Sequence, residues 1–233
     1  MKKLVIIPCY NEEKTVGTVA EAARPYADLC FVNDASTDRT GECLRSIPGI
    51  HIITHARRTH IPGAILDGMR FAMENRYDFA VTMDAGLSHD PNDLPRFLKH
   101  DGVDLVIGAR RTTVGTPPHR RLFSRCATRI VNYGLSPSWH DLKGPGFSDC
   151  TSGFRMYSKE ALQTVLSSPL VSKSFGFHME TLSVIYTRGL SIQEIPITYT
   201  FTNSSFNPAA LGDGLRVSID LVQKKFKGMA GIR

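Results

Sequence analysis

The chain has 233 residues, 42% of them hydrophobic and 21% charged, and 28 Lys and Arg against 22 Asp and Glu give a formal net charge of +6. These values fit a soluble globular protein of one large domain, or one domain with a small appendage, and they exclude an integral membrane protein because no run approaches the ~18–20 apolar residues of a bilayer span. The moderate positive excess suits an anionic ligand or an anionic membrane surface, and no nucleic-acid partner is expected.

The first half alternates strand and helix. "LVIIP" (4–8) is a continuous apolar run of the kind buried on both faces of a parallel sheet. "NEEKTVGTVAEAA" reads as a helix with Asn11 as its N-cap, "LCFVND" as a second strand, and "ASTDRTGECLRS" as a loop passing into a helix capped by Ser36 or Asp38. "IHIIT" is a third strand, and Ile65, Met69, Ala72 and Met73 mark the next helix. "FAVTMDA" is a fourth strand, "PNDLPRFLKH" a short helix and "DLVIGAR" a fifth strand. Strands separated by helices predict an α/β fold with a mainly parallel central sheet and helices on both faces.

After Arg110 the alternation fades. "RRTTVGTPPHRR" reads as a polar loop, "RLFSRCATRIVNYGL" as a helix, and residues 136–158 as a Gly/Pro/Ser-rich segment. Helices at "KEALQTVLSS" and "FHMETLSVIYTRG" and a strand at "SIQEIPITYT" follow. The division is a domain over residues 1–212 and an amphipathic helical tail over 213–233, with Leu215, Ile219, Val222 and Phe226 near one face and Lys224, Lys225 and Lys227 at its end. The five cysteines, Cys9, Cys30, Cys43, Cys126 and Cys150, form no C-x-x-C pair. A reducing, cytoplasmic compartment is the natural one, and the opening apolar run is too short for a secretory leader.

In open α/β sheets ligands bind beyond the carboxyl ends of the strands. Three strands deliver polar residues there: "PCYNEE", "VNDASTD" and "MDAGLSHD". A G-x-G-x-x-G turn after the first strand, a P-loop and a G-x-S-x-G elbow are all absent from the sequence, which argues against dehydrogenase, P-loop NTPase and serine hydrolase chemistry.

In order and spacing, "VIIPCYNEE", "VNDASTDRTGE", "MDAGLSHDP", "DLVIGAR" and "SDCTSGFRMYSKEAL" resemble the family-2 glycosyltransferases of GT-A (nucleotide-diphospho-sugar transferase) fold, most closely the dolichol- and polyprenol-phosphate sugar synthases, from the N-terminus to about Tyr199. The resemblance implies a nucleoside-diphosphate sugar donor across the ends of the first, second and fourth strands. Pro8, Tyr10 and Glu12 match the segment lining the nucleoside pocket, Asp34 an acid contacting base or ribose, and Asn33 a place where the family often has another Asp. Asp84 matches the first carboxylate of a D-x-D motif that serves the divalent cation, Mg²⁺ or Mn²⁺, and the donor diphosphate; Gly86 stands in place of the second. Asp149 matches the acid beside donor sugar and acceptor, and Arg155 ends the same motif. By the resemblance Asp149 and Asp84 are the catalytic pair, and the transfer inverts the anomeric centre.

On chemical grounds a departing diphosphate needs charge stabilisation. Mg²⁺ is commonly held by one or two carboxylates plus substrate phosphates, so Asp84 alone can suffice, with Asp90 or His89 assisting through water. On the acceptor side Arg110, Arg111, Arg120, Arg121, Arg125 and Arg129 cluster, Arg121, Arg125 and Arg129 share a helix face, and no acid lies from Arg110 to Asn132. That stripe suits a lipid phosphate or an anionic membrane, and Glu180 with His178 faces the same side by analogy or caps a helix. The basic, glycine-containing segment ending in Ser-Lys that such synthases carry after the last strand is replaced by "FTNSSFNPAALGDG". The expectation is a hexosyltransferase acting on a polyprenyl-phosphate-like or other membrane-associated acceptor, peripheral at the inner face of a membrane. A transferase for a soluble glycan or small molecule, and a nucleotide-sugar-binding protein that has lost turnover, remain open as alternatives.

Overall fold

The computed structural model describes residues 1–138, 140–202 and 208–229. Strands β1 (Lys3–Cys9), β2 (Asp28–Asn33), β3 (His51–Thr54) and β4 (Phe79–Thr82) pair in parallel, linked by helices α1 (Val16–Ala23), α2 (Thr40–Arg45) and α3 (His60–Glu74). Strands β5 (Leu105–Val114), β6 (Arg155–Ser158) and β7 (Ile192–Thr200) complete a seven-stranded sheet in the order β3-β2-β1-β4-β6-β5-β7. Only β6 runs antiparallel to its neighbours, β4 and β5.

The apolar run of β1 has a simple cause. Leu4 and Ile6 pack with Ala64, Ile65 and Met69 of α3 on one face, while Val5, Ile7 and Cys9 pack with Val16, Val19 and Ala20 of α1 on the other. Both faces are dry, so both parities of the strand must be apolar. Helix α3 comes close enough that a Cβ on Gly68 would meet Ile6 Cγ2 at 2.3 Å. Glycine there sets the helix–sheet spacing.

A short 3₁₀ turn (Pro91–Asp93) leads into α4 (Leu94–Phe97), and α5 (Pro118–Leu135), α6 (Lys159–Leu166), α7 (Gly176–Thr187) and α8 (Pro208–Met229) complete the described chain. The inner face of α8 is fixed to the domain. Val217 and Leu221 join the same core as Ala127 and Val131 of α5 and Phe177 and Leu182 of α7. The buried Lys225 donates to the carbonyls of Tyr133 (2.7 Å) and Ser138 (3.0 Å), so an ammonium caps the last turn of α5. The outer face carries Leu215, Ile219 and Phe226, each about half exposed. Residues 203–207 of the segment replacing the basic loop, and the Lys227 side chain, lie outside the described residues.

Three local expectations are corrected. Asn11 does not cap α1, which starts at Val16; it sits at φ +57° and its Oδ1 accepts from the Thr37 N–H (2.8 Å), tying the ends of β1 and β2 together. The polar stretch after Arg110 is not a loop, because β5 continues to Val114 by pairing with β7. The register shifts between Arg110 and Thr112, and this bulge lets the consecutive Arg110 and Arg111 both line one cleft. Strand β6, four residues within the Gly/Pro/Ser-rich segment, was not expected at all.

Candidate active site

The carboxyl ends of β1, β2 and β4, the bulged end of β5, and the first turns of α5 and α7 enclose a cleft of about 1070 Å³. Four of the five described non-glycine residues with positive φ, Asn11, Ala35, His60 and Leu87, stand at the chain reversals around it. Each costs on the order of 1 kcal/mol, and strain of this kind gathers where a site over-determines its backbone.

The β1 end supplies Pro8, Tyr10 and Glu12, all in the lining. The Arg58 guanidinium lies 3.7 Å over the Tyr10 ring. Cys9 beside them is no nucleophile, since burial, and then the charge of Glu12, push its thiol up to about 12. Asp34, at the end of β2, also lines the cleft, but much of its bonding capacity is spent. Its Oδ1 accepts from the Thr59 N–H (2.7 Å), the Thr59 hydroxyl (2.8 Å) and His55 Nδ1 (2.8 Å), and its Oδ2 from the His60 N–H (2.8 Å). Burial pushes this carboxyl up, and the bonds from His55 and Thr59 outweigh it and hold it below its ordinary value. Asp34 thereby anchors residues 55–60 at the start of α3. That brings Arg58 and His60 to the cleft, and no signal in the sequence marked either residue.

The expected donor residues Asn33 and Arg155 are corrected. Asn33 is buried outside the cleft lining, its Oδ1 accepting from the Ser36 N–H (3.1 Å). Arg155 is fully buried in β6 and donates to the carbonyls of Ser152 (2.7 Å), His178 (2.6 Å) and Cys150 (2.8 Å). Its guanidinium is consumed by backbone oxygens and lies outside the cleft lining. Glu180, expected on the acceptor side, is likewise buried outside the lining, accepting from the N–H groups of Val171 (2.9 Å) and Ser172 (3.0 Å). Of the two residues offered as caps for the second helix, Asp38 accepts from the Thr40 N–H (2.9 Å), whereas the Ser36 hydroxyl accepts from the Asn11 N–H (3.1 Å).

Asp84 stands past the end of β4 with its side chain 52% exposed to the cleft. Its N–H donates to His89 Nδ1 (3.2 Å), which assigns the ring proton to Nε2. Burial holds the His89 pKa below its ordinary value, so the ring is neutral at pH 7 and offers Asp84 no cation. The loop after Asp84 is tied to the end of β7: the Thr202 hydroxyl donates to the Gly86 carbonyl (2.7 Å) and lies 3.0 Å from the Ser88 hydroxyl. Asp90, considered as a water-mediated helper, caps the 3₁₀ turn through the Asn92 N–H (2.9 Å).

In the cleft lining Asp149 takes Arg110 Nε (2.7 Å) and Nη2 (2.8 Å) in a two-point bond, and also the N–H groups of Arg110, Thr151 and Ser152 (3.1 Å each). Burial alone would raise its pKa; the Arg110 guanidinium overrides burial and lowers it to about 2. Asp149 is therefore a permanent anion that fixes Arg110. Arg111, Arg121 and Arg125 line the same cleft without a carboxylate partner among the described residues. Arg129, one turn on, lines a separate shallow hollow with Tyr133 and Val222.

The chain has clear relatives among known proteins. The model for "Glycosyl transferase family 2" matches residues 4–166. An undecaprenyl-phosphate mannosyltransferase of Micrococcus luteus is 32% identical over 212 residues, covering 85% of this chain and 84% of its own length. A polyprenol monophosphomannose synthase of Mycolicibacterium smegmatis is 32% identical over 214 residues, covering 85% and 77%. Among solved structures, glucosyl-3-phosphoglycerate synthase of Mycobacterium tuberculosis, crystallised with Mn²⁺, UDP-glucose and phosphoglyceric acid, superposes with a TM-score of 0.70 at 18% identity, over 100% of this chain and 80% of its own, which establishes a shared GT-A fold. With the family model spanning more than half the chain, the protein belongs to glycosyl transferase family 2.

Proposed function

We propose that the protein transfers a hexose from a nucleoside-diphosphate sugar to a polyprenyl-phosphate-type acceptor, with inversion at the anomeric carbon. The observation that carries this reading is the state of Asp149. A hydroxyl acceptor needs a base close to neutral pKa, and a carboxylate held at about 2 and locked onto Arg110 is a poor one. A phosphate monoester has its second pKa near ~6 and arrives as a nucleophile. The cleft therefore favours an ionised phosphate acceptor over a hydroxyl one, and the names of the relatives point to a polyprenyl phosphate as its source.

In this reading Pro8, Tyr10 and Asp34 hold the nucleoside and Asp84 serves the diphosphate end. The arginines at 111, 121 and 125 hold the acceptor phosphate, whose oxygen attacks the anomeric carbon as the bond to the diphosphate oxygen breaks on the opposite face. Asp149 positions Arg110 between the two phosphates and takes no proton. A divalent cation, Mg²⁺ or Mn²⁺, fits the donor end: Asp84 presents a half-exposed hard-oxygen ligand whose only ion-pair neighbour among the described residues, His89 at 3.6 Å, is neutral. When bound, it offsets the charge gained by the departing diphosphate.

Membrane attachment is the second part of the proposal. No helix among the described residues is long and apolar enough to cross a membrane. Leu122 of α5 and Leu215, Ile219 and Phe226 of α8 are between 49% and 63% exposed on two helices packed together, and α5 also carries the cleft arginines. An apolar face beside basic side chains suits peripheral docking on an anionic surface at the cytoplasmic side. Incubating the protein and Mg²⁺ or Mn²⁺ with a panel of nucleoside-diphosphate hexoses and polyprenyl phosphate in anionic vesicles, read by mass spectrometry of the lipid, tests the reading. Mannose donors come first, because both relatives carry mannose in their names. A glycosyl phospholipid is expected. Donor binding without turnover on lipid or soluble acceptors would leave a binding protein instead.

A further inference from the structure

The chain past β1 turns at Asn11 and brings Glu12 back into the cleft opposite the loop that follows β4. A Cβ built on Gly86 would lie 3.3 Å from Glu12 Oε1 and 3.7 Å from Oε2. The Glu12 carboxylate thus already stands where a side chain at position 86 would project. Its orientation is fixed: the Glu12 N–H donates to the Thr40 hydroxyl (2.8 Å), its carbonyl accepts from the Thr15 N–H (3.0 Å), and its Oε2 accepts from the Thr15 hydroxyl (2.8 Å). Among the described residues Oε1, the oxygen nearer Gly86, accepts no hydrogen bond and neither oxygen pairs with a cation.

We propose that Glu12 and Asp84 are the paired carboxylate ligands of the divalent cation, Gly86 being the gap through which an acid from the β1 end serves the β4 loop. This rests on the sugar-transfer reading above and departs from the sequence expectation for one residue: Glu12 belongs to the metal rather than to the nucleoside. Two protein carboxylates, with water and diphosphate oxygens completing the shell, make an ordinary Mg²⁺ or Mn²⁺ site. An aspartate added at 86 would meet Glu12 at close range and like charge. With glycine there, the β1 acid stands in for the missing acid of the β4 loop.

The test is a Mn²⁺ titration followed by electron paramagnetic resonance, with and without UDP or GDP, on wild type, Glu12→Gln, Gly86→Asp and the double variant. Nucleotide affinity is measured in parallel in EDTA. Glutamine keeps an acceptor for the Thr15 hydroxyl, and melting curves confirm that each variant is folded. Glu12→Gln is expected to weaken Mn²⁺ binding by about tenfold or more while leaving nucleotide affinity in EDTA within about twofold. Adding Gly86→Asp to it should restore Mn²⁺ binding to within a few-fold of wild type, because the new carboxylate then meets a neutral neighbour. Unchanged Mn²⁺ binding in Glu12→Gln overturns the inference, and so does an equal loss of nucleotide in EDTA, which would put Glu12 on the nucleoside. If the double variant does not recover, the pairing of 12 with 86 is wrong. Wild type that binds neither nucleotide nor Mn²⁺ overturns the sugar-transfer reading as well, whereas wild type that binds both while Glu12→Gln is silent overturns only the inference.

Discussion

Breaking the Arg110–Asp149 pair probes the cleft lining, and the structure sets unequal costs for its two halves. The Asp149 side chain is 9% exposed and that of Arg110 21%. Arg110→Met strands a buried anion, so its cost belongs near the lower end of the ~3–5 kcal/mol range for breaking buried pairs, because the Thr151 and Ser152 N–H groups remain to solvate it. Asp149→Asn strands a cation that reaches water more easily and keeps the Ser124 hydroxyl (3.1 Å), and about 1–2 kcal/mol is expected. The pH dependence follows from the depressed carboxyl. Its folded pKa of about 2 lies below the ordinary 3.8, so the group's contribution is complete above pH 3.8 and lost as pH falls towards 2. At ~1.4 kcal/mol per pH unit that contribution is about 2 kcal/mol. Urea unfolding of wild type, both single variants and the double variant, at pH 7 and in steps from pH 4.5 to 2.5, gives costs and coupling together. Single variants within ~0.5 kcal/mol of wild type, with no coupling, would show that the pair is solvated and that Asp149 is free to act as a base.

Gly68→Ala should destabilise the fold by about 1–3 kcal/mol in the same assay, since the added methyl enters the β-branched Ile6 side chain; no change would mean that α3 sits farther from β1. Replacing Leu215, Ile219 and Phe226 together with Ser should abolish co-sedimentation with anionic vesicles while shifting urea stability little, because these side chains face outward. Retained binding would remove α8 from the membrane-docking face. Lys225→Met should cost about 1 kcal/mol by removing the ammonium from the Tyr133 and Ser138 carbonyls, which keep the Ser136 and Asp141 N–H groups; a neutral result would show that water caps α5 equally well.

Much of the fold was legible because parallel strands buried on both faces leave continuous apolar runs. Leu4 to Ile7 in β1 and Leu29 to Val32 in β2 are fully or almost fully buried, and no other pattern would survive there. The cleft lining was legible where a polar residue follows such a run, as at Tyr10, Glu12, Asp34 and Asp84. It was not legible where function and structure use the same residue type. Arg155 and Asp149 close one motif, yet one satisfies core carbonyls and the other anchors a cleft arginine 39 positions away. Asn33 and Glu180 were misjudged for the same reason, since a buried amide or carboxylate serving local N–H groups leaves no periodic trace. The extension of β5 was hidden because its outer half is polar and exposed, and its pairing with β7 is set by a strand some eighty residues later. Strand β6 offers four residues, one of them an arginine, which is too short a signal for any period.

The most direct test of the central claim compares polyprenyl phosphate with the matching polyprenol, in single turnovers with an accepted donor and metal at neutral pH. Transfer to the phosphate alone is expected, because the cleft is lined by Arg111, Arg121 and Arg125 and holds the Asp149 carboxylate at about 2, too acidic to deprotonate an alcohol. Comparable transfer to the alcohol, or to a soluble glycan in place of both lipids, would contradict it.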